Sequence, residues 1–381
     1  MYAGHDPGKI LTTHTGSLPR PPELAQALAD QETGGRPVPP PDTVAAMVAG
    51  AVADVVGHQV AVGVDIVSDG EMGKIGYSTY VKERLSGFGG EPGTLTLADL
   101  ADHPAFTQRA LAGLVTRMPS CDGPVSYAGQ QALQADLGNF ATALGETGRR
   151  GFMPAASPGV ISIFLQNRYY PSQDAYLEAL ADAMAVEYRA IIGAGFDLQL
   201  DCPDLAMGRH IGQPAADPDD FTKQAGRHVE VLNHALDGIS PDRVRLHICW
   251  GNYEGPHHRD IELRQILPLV TRANVGALSF ENANPRHAHE WQVFEDIAIP
   301  DSLTLIPGVI DTSSNYIEHP DLVAERIIRL AGIVGRDRVV AGTDCGLSTF
   351  ATFLPVLPSI AWEKLRSLTE GAERASKFFW T

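Results

Sequence analysis

One histidine, two cysteines and one glutamate carry the sharpest chemical signal in this sequence. His247 and Cys249 are two residues apart in an apolar run typical of a strand, so both side chains face the same side of it. Glu281 follows the next apolar run, and Cys345 follows a later one. An imidazole, two thiolates and a carboxylate together form a suitable tetrahedral zinc set. Spacing alone fits equally well two buried apolar cysteines beside a hydrogen-bonded core histidine.

The distance between these residues along the chain decides what kind of metal site they can form. Cys345 lies far from Cys249, whereas the ligand pairs of zinc fingers and ribbons sit close together. The tertiary fold would therefore assemble the site, as it does in a catalytic centre. Cys202 is expected to be a packing residue, and Cys121 shows no spacing pattern. Four histidines near helix starts are expected to be surface or cap residues rather than ligands: His257, His258, His287 and His289.

Further polar residues recur directly after the predicted strands. They are Thr15-Gly16-Ser17, Asp69-Gly70-Glu71, Asp201, Glu281-Asn282, Asp311 and Asp344. In a barrel of alternating strands and helices, the carboxyl ends of all strands open on one face, and that face carries the active site. A single polar residue at a strand end often only caps the next helix. Their repeated placement favours one common site.

The elements that position these residues alternate along the chain. Eight strands are predicted near residues 10, 65, 152, 198, 245, 277, 306 and 340. Helices are predicted at about 41–63, 172–194, 218–237, 259–271, 286–296, 320–334 and 358–377. Parallel strands need helical crossovers, so the pattern predicts an α/β protein with a (β/α)8 TIM barrel. The alternative is an open doubly wound sheet, which the lack of a G-x-G-x-x-G after the first strand disfavours.

The segment 83–150 departs from this rhythm. It is rich in glycine and mixed in period, and it follows the second predicted strand. We interpret it as an insertion or lid within a single catalytic domain that spans residues 1–381.

Composition narrows the function classes. The 381 residues are 44% hydrophobic, as in an ordinary globular protein, and the net charge of −17 disfavours nucleic-acid and anionic membrane partners. We expect no membrane span, because no apolar run approaches the ~20 residues that one needs. The first residues lack the basic and apolar regions of a signal peptide, and the four cysteines are too few for a disulfide scaffold. We expect a cytoplasmic enzyme that can form a homo-oligomer.

The chain resembles the C-terminal catalytic barrel of cobalamin-independent methionine synthases, a family related to the epoxyalkane:coenzyme M transferases. The similarity covers nearly the whole chain. It rests on seven motifs in family order: Thr12-Thr13-His14-Thr15-Gly16-Ser17-Leu18-Pro19, Asp69-Gly70-Glu71, Leu200-Asp201-x-Pro203, His247-x-Cys249, Phe280-Glu281, Pro307-Gly308-Val309-x-Asp311 and Asp344-Cys345-Gly346-Leu347.

The resemblance implies a ligand set and a substrate site. It implies Zn²⁺ as the cofactor, held by His247, Cys249, Glu281 and Cys345. It also implies that Ser17, with Thr15, Gly16 and the nearby backbone, holds a substrate anion. Glu71 and Asp201 would hold the substrate amino group, and Asp311 would join them as a catalytic residue. Without the resemblance, Glu71 and Asp201 are more simply helix caps or ion-pair partners.

The implied activity is transfer of an alkyl group to a small-molecule thiol held as a zinc-bound thiolate. Methyl transfer to homocysteine or a similar thiol is the first candidate, epoxide opening by a zinc-bound thiol is the alternative, and decarboxylation on a related barrel is a further alternative. Two departures fall on the methyl-donor side. Ser313 replaces a family histidine, and the stretch 155–160 lacks the family tryptophan expected near the pterin of methyl-folate.

Overall fold

The computed structural model describes residues 8–34, 37–93, 95–110, 114–145, 147–211 and 217–381. Its strands are β1 (Ile66–Ser68), β2 (Phe88–Gly90), β3 (Ser120–Cys121), β4 (Arg150–Ala156), β5 (Asp197–Asp201), β6 (Val244–Ile248), β7 (Ala277–Phe280), β8 (Thr304–Ile310) and β9 (Gly342–Thr343). Its helices are α1 (Pro22–Thr33), α2 (Pro41–Ala61), α3 (Ala98–Ala101), α4 (Pro104–Ala110), α5 (Gln130–Leu144), α6 (Pro158–Phe164), α7 (Gln173–Gly193), α8 (Pro218–Ala235), α9 (Leu263–Val270), α10 (Val293–Asp296), α11 (Pro320–Val334) and α12 (Pro358–Trp380).

Seven parallel strands form the main sheet, in the order β1-β4-β5-β6-β7-β8-β9. The segment before α1 joins its two edges. The N–H of Thr13 donates to the carbonyl of Ala341 at 2.8 Å, and the N–H of Ile66 donates to the carbonyl of Thr12 at 3.0 Å. Residues 10–13 therefore take the place of the eighth strand, and the predicted (β/α)8 barrel is confirmed.

The barrel interior is packed with side chains rather than open. Ile66, Phe152, Ala277 and Ile306 form a buried cluster contributed by different strands, as expected for the layered core of such a barrel. The guanidinium of Arg245 lies 3.4 Å from the centre of the Phe152 ring. This packed core gives the strand ends a rigid base.

The segment 83–150 contains both irregular structure and a regular barrel helix. Strands β2 and β3 pair antiparallel, and α3 and α4 lie between them along the chain. Helix α5 packs against α2 and buries Leu133, Leu137 and Phe140, which recur at helical spacing. The irregular part of the segment therefore ends before α5, and that helix belongs to the barrel wall. The lid role of the preceding residues stays a prediction.

Two other elements differ from the sequence-based expectation. The stretch 286–296 becomes helical only from residue 290, because the Asn284 side chain accepts the N–H groups of Arg286 and His287 in a turn. Helix α2 is long and apolar enough to cross a membrane by length and composition, with a mean hydropathy of 1.5, so the expectation that no run qualifies was wrong. In this fold α2 packs against α5, with Val44, Val52, Val55 and Val56 buried.

Candidate active site

A cavity of about 590 Å³ opens at the carboxyl ends of the barrel strands. Its floor consists of predicted site residues, all of them buried: Glu71, Asp201, His247, Cys249 and Cys345. Thr15 and Ser17 also line it. The described residues that line the cavity do not include three of the predicted site residues, which are Gly16, Glu281 and Asp311.

The imidazole and the two thiols converge on the floor. His247 lies in β6, Cys249 directly follows that strand, and Cys345 follows β9. One donor atom from each lies within 4.8 Å of the others. His247 Nε2 is buried and has no hydrogen-bond partner among the described residues, while Nδ1 lies 3.3 Å from the Ser279 hydroxyl. Burial lowers the pKa of His247 to about 4, so the ring is neutral, which is the ligating form. These residues fit a thiophilic metal ion.

The two thiols also depend on one another. Their mutual hydrogen bond lowers the pKa of Cys249 and raises that of Cys345, whose burial raises it further. The protein environment alone therefore favours one thiolate over two. A cation at this point would favour both, because metal coordination deprotonates thiols.

Glu281 lies beside the thiols but outside the converging set. Its Oε1 accepts the N–H of Trp250 at 2.8 Å, and its Oε2 accepts the Asn284 amide at 2.6 Å. Burial, reinforced by the charge of Cys249, raises the pKa of Glu281. In this arrangement both carboxylate oxygens are engaged by the protein, so a ligand role for Glu281 stays a prediction.

Glu71 and Asp201 place two buried carboxyl groups on the floor, and Asp201 pairs with His247 on the neighbouring strand. Glu71 has a φ of 57°, a strained conformation for this residue, and its Oε2 has no hydrogen-bond partner in the described part of the chain. Burial, together with the charge of Glu71, raises the pKa of Asp201 to about 7. The ammonium of Lys74 donates to the Pro154 carbonyl at 2.7 Å. The unpartnered oxygen beside a second carboxyl group suits a cationic group of a ligand.

The turn after the first strand segment brings backbone close to this floor. Gly16 has a φ of 131°, and a Cβ there would lie 2.6 Å from Pro154 Cγ and 3.0 Å from Glu71 Oε1. A Cβ on Gly346 would lie 1.9 Å from the hydroxyl oxygen of Ser17. Both glycines therefore permit the close approach that puts Ser17 on the cavity surface.

Asp311 is held at a turn outside the cavity lining. Its carboxylate accepts hydrogen bonds from the N–H and hydroxyl of Ser313, at 2.9 and 2.8 Å, and from the hydroxyl of Ser314. Ser313 occupies the position where the family resemblance implies a histidine. A catalytic role for Asp311 stays a prediction.

The wall of the cavity is apolar, and sequence reasoning missed it. It consists of Leu95, Leu97, Leu100, Met118, Phe164, Met207, Ile211, Phe350 and Phe353. Tyr77 also lines the cavity, with its ring between those of Phe164 and Phe350 at centroid distances of 6.1 and 5.7 Å. Burial raises the pKa of Tyr77 well above its usual value, so its hydroxyl keeps the proton. Much of the wall comes from the irregular residues before α5, where no periodic pattern marks it.

The remaining cysteines and histidines divide into two groups. Cys202 and Cys121 are buried, and His258 and His289 lie nearer the surface. The expectation that His257 and His287 are surface or cap residues was wrong, because both are buried beside Asp260. No sequence spacing linked these residues, which come from separate loops.

Known proteins match this chain in sequence and in fold. The model of the cobalamin-independent synthase catalytic domain matches residues 166–354. A 2-hydroxypropyl-CoM lyase of Xanthobacter autotrophicus is 26% identical over 96% of this chain and 94% of its own length. A methionine synthase of Sulfolobus acidocaldarius is 26% identical over 94% of this chain and 90% of its own length.

A solved structure supports the same fold. The B12-independent methionine synthase of a Shewanella species, in complex with selenomethionine, superimposes with a TM-score of 0.73. The two chains are 20% identical, and the match covers 97% of this chain and 99% of the other. The fold therefore agrees with the catalytic-domain match, and we conclude that residues 166–354 of the chain belong to the cobalamin-independent methionine synthase family.

Proposed function

We propose that this protein is a zinc-dependent S-alkyltransferase that acts on a small-molecule thiol. The observation that carries the proposal is the convergence of His247, Cys249 and Cys345 within 4.8 Å on the cavity floor. Family membership supports it, because the named relatives include methionine synthases and a 2-hydroxypropyl-CoM lyase. Their names place sulfur compounds among what they act on.

One group of residues would bind the metal, and a second group would bind the substrate. His247, Cys249 and Cys345 would hold Zn²⁺, with Glu281 beside them as a fourth donor. When bound, Zn²⁺ supplies the Lewis acidity that keeps a thiol deprotonated near neutral pH, where a free thiol with a pKa of ~8.5 is mostly protonated. Glu71 and Asp201 would accept hydrogen bonds from a substrate ammonium group, and Ser17 would donate to a substrate anion.

Methyl transfer to homocysteine or a similar thiol is the first candidate reaction. The substrate sulfur forms a bond to the methyl carbon as the bond between that carbon and its donor atom breaks. The donor atom takes the electron pair and then a proton. The two buried carboxyl groups favour an amino-acid thiol, since its ammonium group would have partners at Glu71 and Asp201.

Epoxide opening by the thiol is a second candidate, favoured by the cavity wall. The described residues that line the cavity include no Lys or Arg, so a charged alkyl donor would have no cationic partner there, whereas an uncharged epoxide needs none. Arg20 is engaged below the floor, donating to the carbonyls of Ser348 and Glu71. The sulfur would bond to one epoxide carbon as its C–O bond breaks, and the hydroxyl of Tyr77, which lines the cavity, would protonate the resulting alkoxide. The same lack of cations disfavours the decarboxylase alternative, which needs a basic pocket.

Zinc-edge X-ray absorption on the full chain tests the proposal and separates the candidates. We expect the metal to have two sulfur neighbours from Cys249 and Cys345, and a third when the correct thiol is added. A rise with homocysteine supports the methionine-forming reaction, and a rise with coenzyme M alone supports epoxide opening. Product analysis with a methyl-folate and with 1,2-epoxypropane then identifies the donor. A metal whose sulfur count changes with neither thiol would contradict thiol activation.

A further inference from the structure

A second group of metal-ligating side chains lies behind the cavity, between the loops that follow β6 and β7. His257 Nδ1 and His287 Nε2 each lie 2.9 Å from the same oxygen, Asp260 Oδ2. One donor atom from each of these three residues lies within 4.8 Å of the others. On the other side of the carboxylate, His210 Nε2 lies 3.6 Å from Asp260 Oδ1. Three imidazoles from separate segments thus face one carboxylate.

Two of these atoms lack partners although they are buried. His210 is 1% exposed, and its Nε2 makes no hydrogen bond among the described residues. Asp260 Oδ1, which faces it, makes none either. Buried polar atoms are normally satisfied, so an unpartnered nitrogen aimed at an unpartnered carboxylate oxygen points to a missing ligand between them.

The outer ring nitrogens show the arrangement that orients histidine ligands. His287 Nδ1 lies 2.9 Å from Glu290 Oε2, and His257 Nε2 lies 3.0 Å from the Tyr253 carbonyl. His210 Nδ1 lies 3.4 Å from Asp99 Oδ1. Metal-ligating histidines almost always direct the second ring nitrogen to a carboxylate, a backbone carbonyl or water, which fixes the tautomer. His257 and His287 do so through hydrogen bonds, whereas His210 Nδ1 faces Asp99 without a hydrogen bond among the described residues.

We propose that His210, His257, Asp260 and His287 form a second metal site, separate from the thiol site and specific for a divalent first-row transition metal such as Zn²⁺. A set of nitrogen and oxygen donors suits Zn²⁺, Fe²⁺ or Co²⁺. A divalent cation would also offset two of the three negative charges of the buried carboxylates Asp99, Asp260 and Glu290. The other explanation is that protonated imidazoles alone balance this charge.

The second site would fix the loop that carries part of the first. The Trp250 ring stacks on His287 with a centroid distance of 4.1 Å, and its backbone N–H donates to Glu281. Tyr253 lines the cavity and donates its hydroxyl to Asp99 Oδ2 at 2.6 Å. A metal at this point would therefore hold the residues after Cys249 against the loop of Glu281. Its role is positioning rather than catalysis.

Metal stoichiometry of the full chain tests the proposal. After loading with Zn²⁺ and desalting, elemental analysis should find two equivalents in the wild type and one in the Cys249→Ser/Cys345→Ser variant. The His257→Gln/His287→Gln variant should also retain one. His258→Gln/His289→Gln is the matched control, because it changes the exposed histidines of the same segments and should keep two.

Substitution with Co²⁺ distinguishes the two sites by their donors. The thiol site should give sulfur-to-cobalt charge-transfer absorption that disappears in the cysteine variant, while the weaker bands of a nitrogen and oxygen site remain. If the histidine double variant does not fold, His210→Gln serves instead, with folding checked by circular dichroism. A wild type that binds one equivalent, all of it lost in the cysteine variant, would overturn the second site and leave the proposed thiol chemistry intact. If wild-type protein loaded with Co²⁺ shows only the weaker bands and no sulfur-to-cobalt absorption, the proposed function is contradicted but the second site is not.

Discussion

The floor of the cavity gathers buried ionisable side chains at the strand ends, whereas its wall presents leucine, methionine and phenylalanine side chains. The floor residues follow strands of a packed barrel, so their positions are set by the sheet. Much of the wall comes from irregular segments, including Leu97, Leu100 and Phe353. A ligand that spans both regions would need a polar end for the floor and an apolar end for the wall. Under the proposed function, the floor residues would carry out the reaction, and the wall residues would select the alkyl group that the enzyme accepts.

The largest effect should come from breaking the floor. We expect Cys345→Ser to lower the rate of thiol alkylation by at least ~100-fold, because losing even a residue that only supports a metal ligand costs ~10–100-fold in affinity or activity. The measurement is kcat/KM alongside metal content. Cys121→Ser is the matched control, since that cysteine is buried in the irregular segment, away from the floor. A Cys345→Ser enzyme with full activity and full metal content would show that the floor is not the reaction centre.

The barrel and the floor could be predicted because local patterns encode them. Alternating strands and helices predict the barrel, and polar residues at strand ends then meet by topology. The wall and the second histidine group could not be predicted in this way, because contacts between distant residues create them. Asp99 accepts the N–H of His257, 158 residues away along the chain. Glu281 shows the same limit. Its position after a strand could be predicted from the sequence, but the hydrogen bonds that its carboxylate accepts from Trp250 and Asn284 could not.

Acid should destabilise the region of His14 and Gly16, next to the floor, before it affects the apolar wall. Burial lowers the pKa of His14 to about 3, and its Nδ1 accepts the N–H of Gly16. Below pH ~6.5 the unfolded chain binds a proton at His14 that the folded chain does not, so the contribution of His14 to the free energy of unfolding falls by about 1.4 kcal/mol per pH unit until the pH nears the folded-state pKa.

Chemical denaturation between pH 7 and pH 5 measures this slope. His14→Gln should remove about 2 kcal/mol of the loss over that interval, whatever its effect at pH 7. An unchanged slope in His14→Gln would show that another group controls the acid sensitivity. The pH dependence would then not distinguish the floor from the wall.

The smallest expected effect sharpens the role of the wall. Leu97 has φ −95° and ψ 116°, an extended conformation that a β-branched side chain adopts readily, so Leu97→Val should fold normally. One methylene lost from an apolar pocket is worth ~1–3 kcal/mol, so kcat/KM for an apolar alkyl donor should fall about tenfold. Metal content and thiol binding should not change, because the floor is untouched. Leu354→Val is the control, since that side chain is 42% exposed. Equal losses for charged and apolar donors would mean that the wall only supports the fold, whereas a loss confined to apolar donors would assign it the selection of the alkyl group.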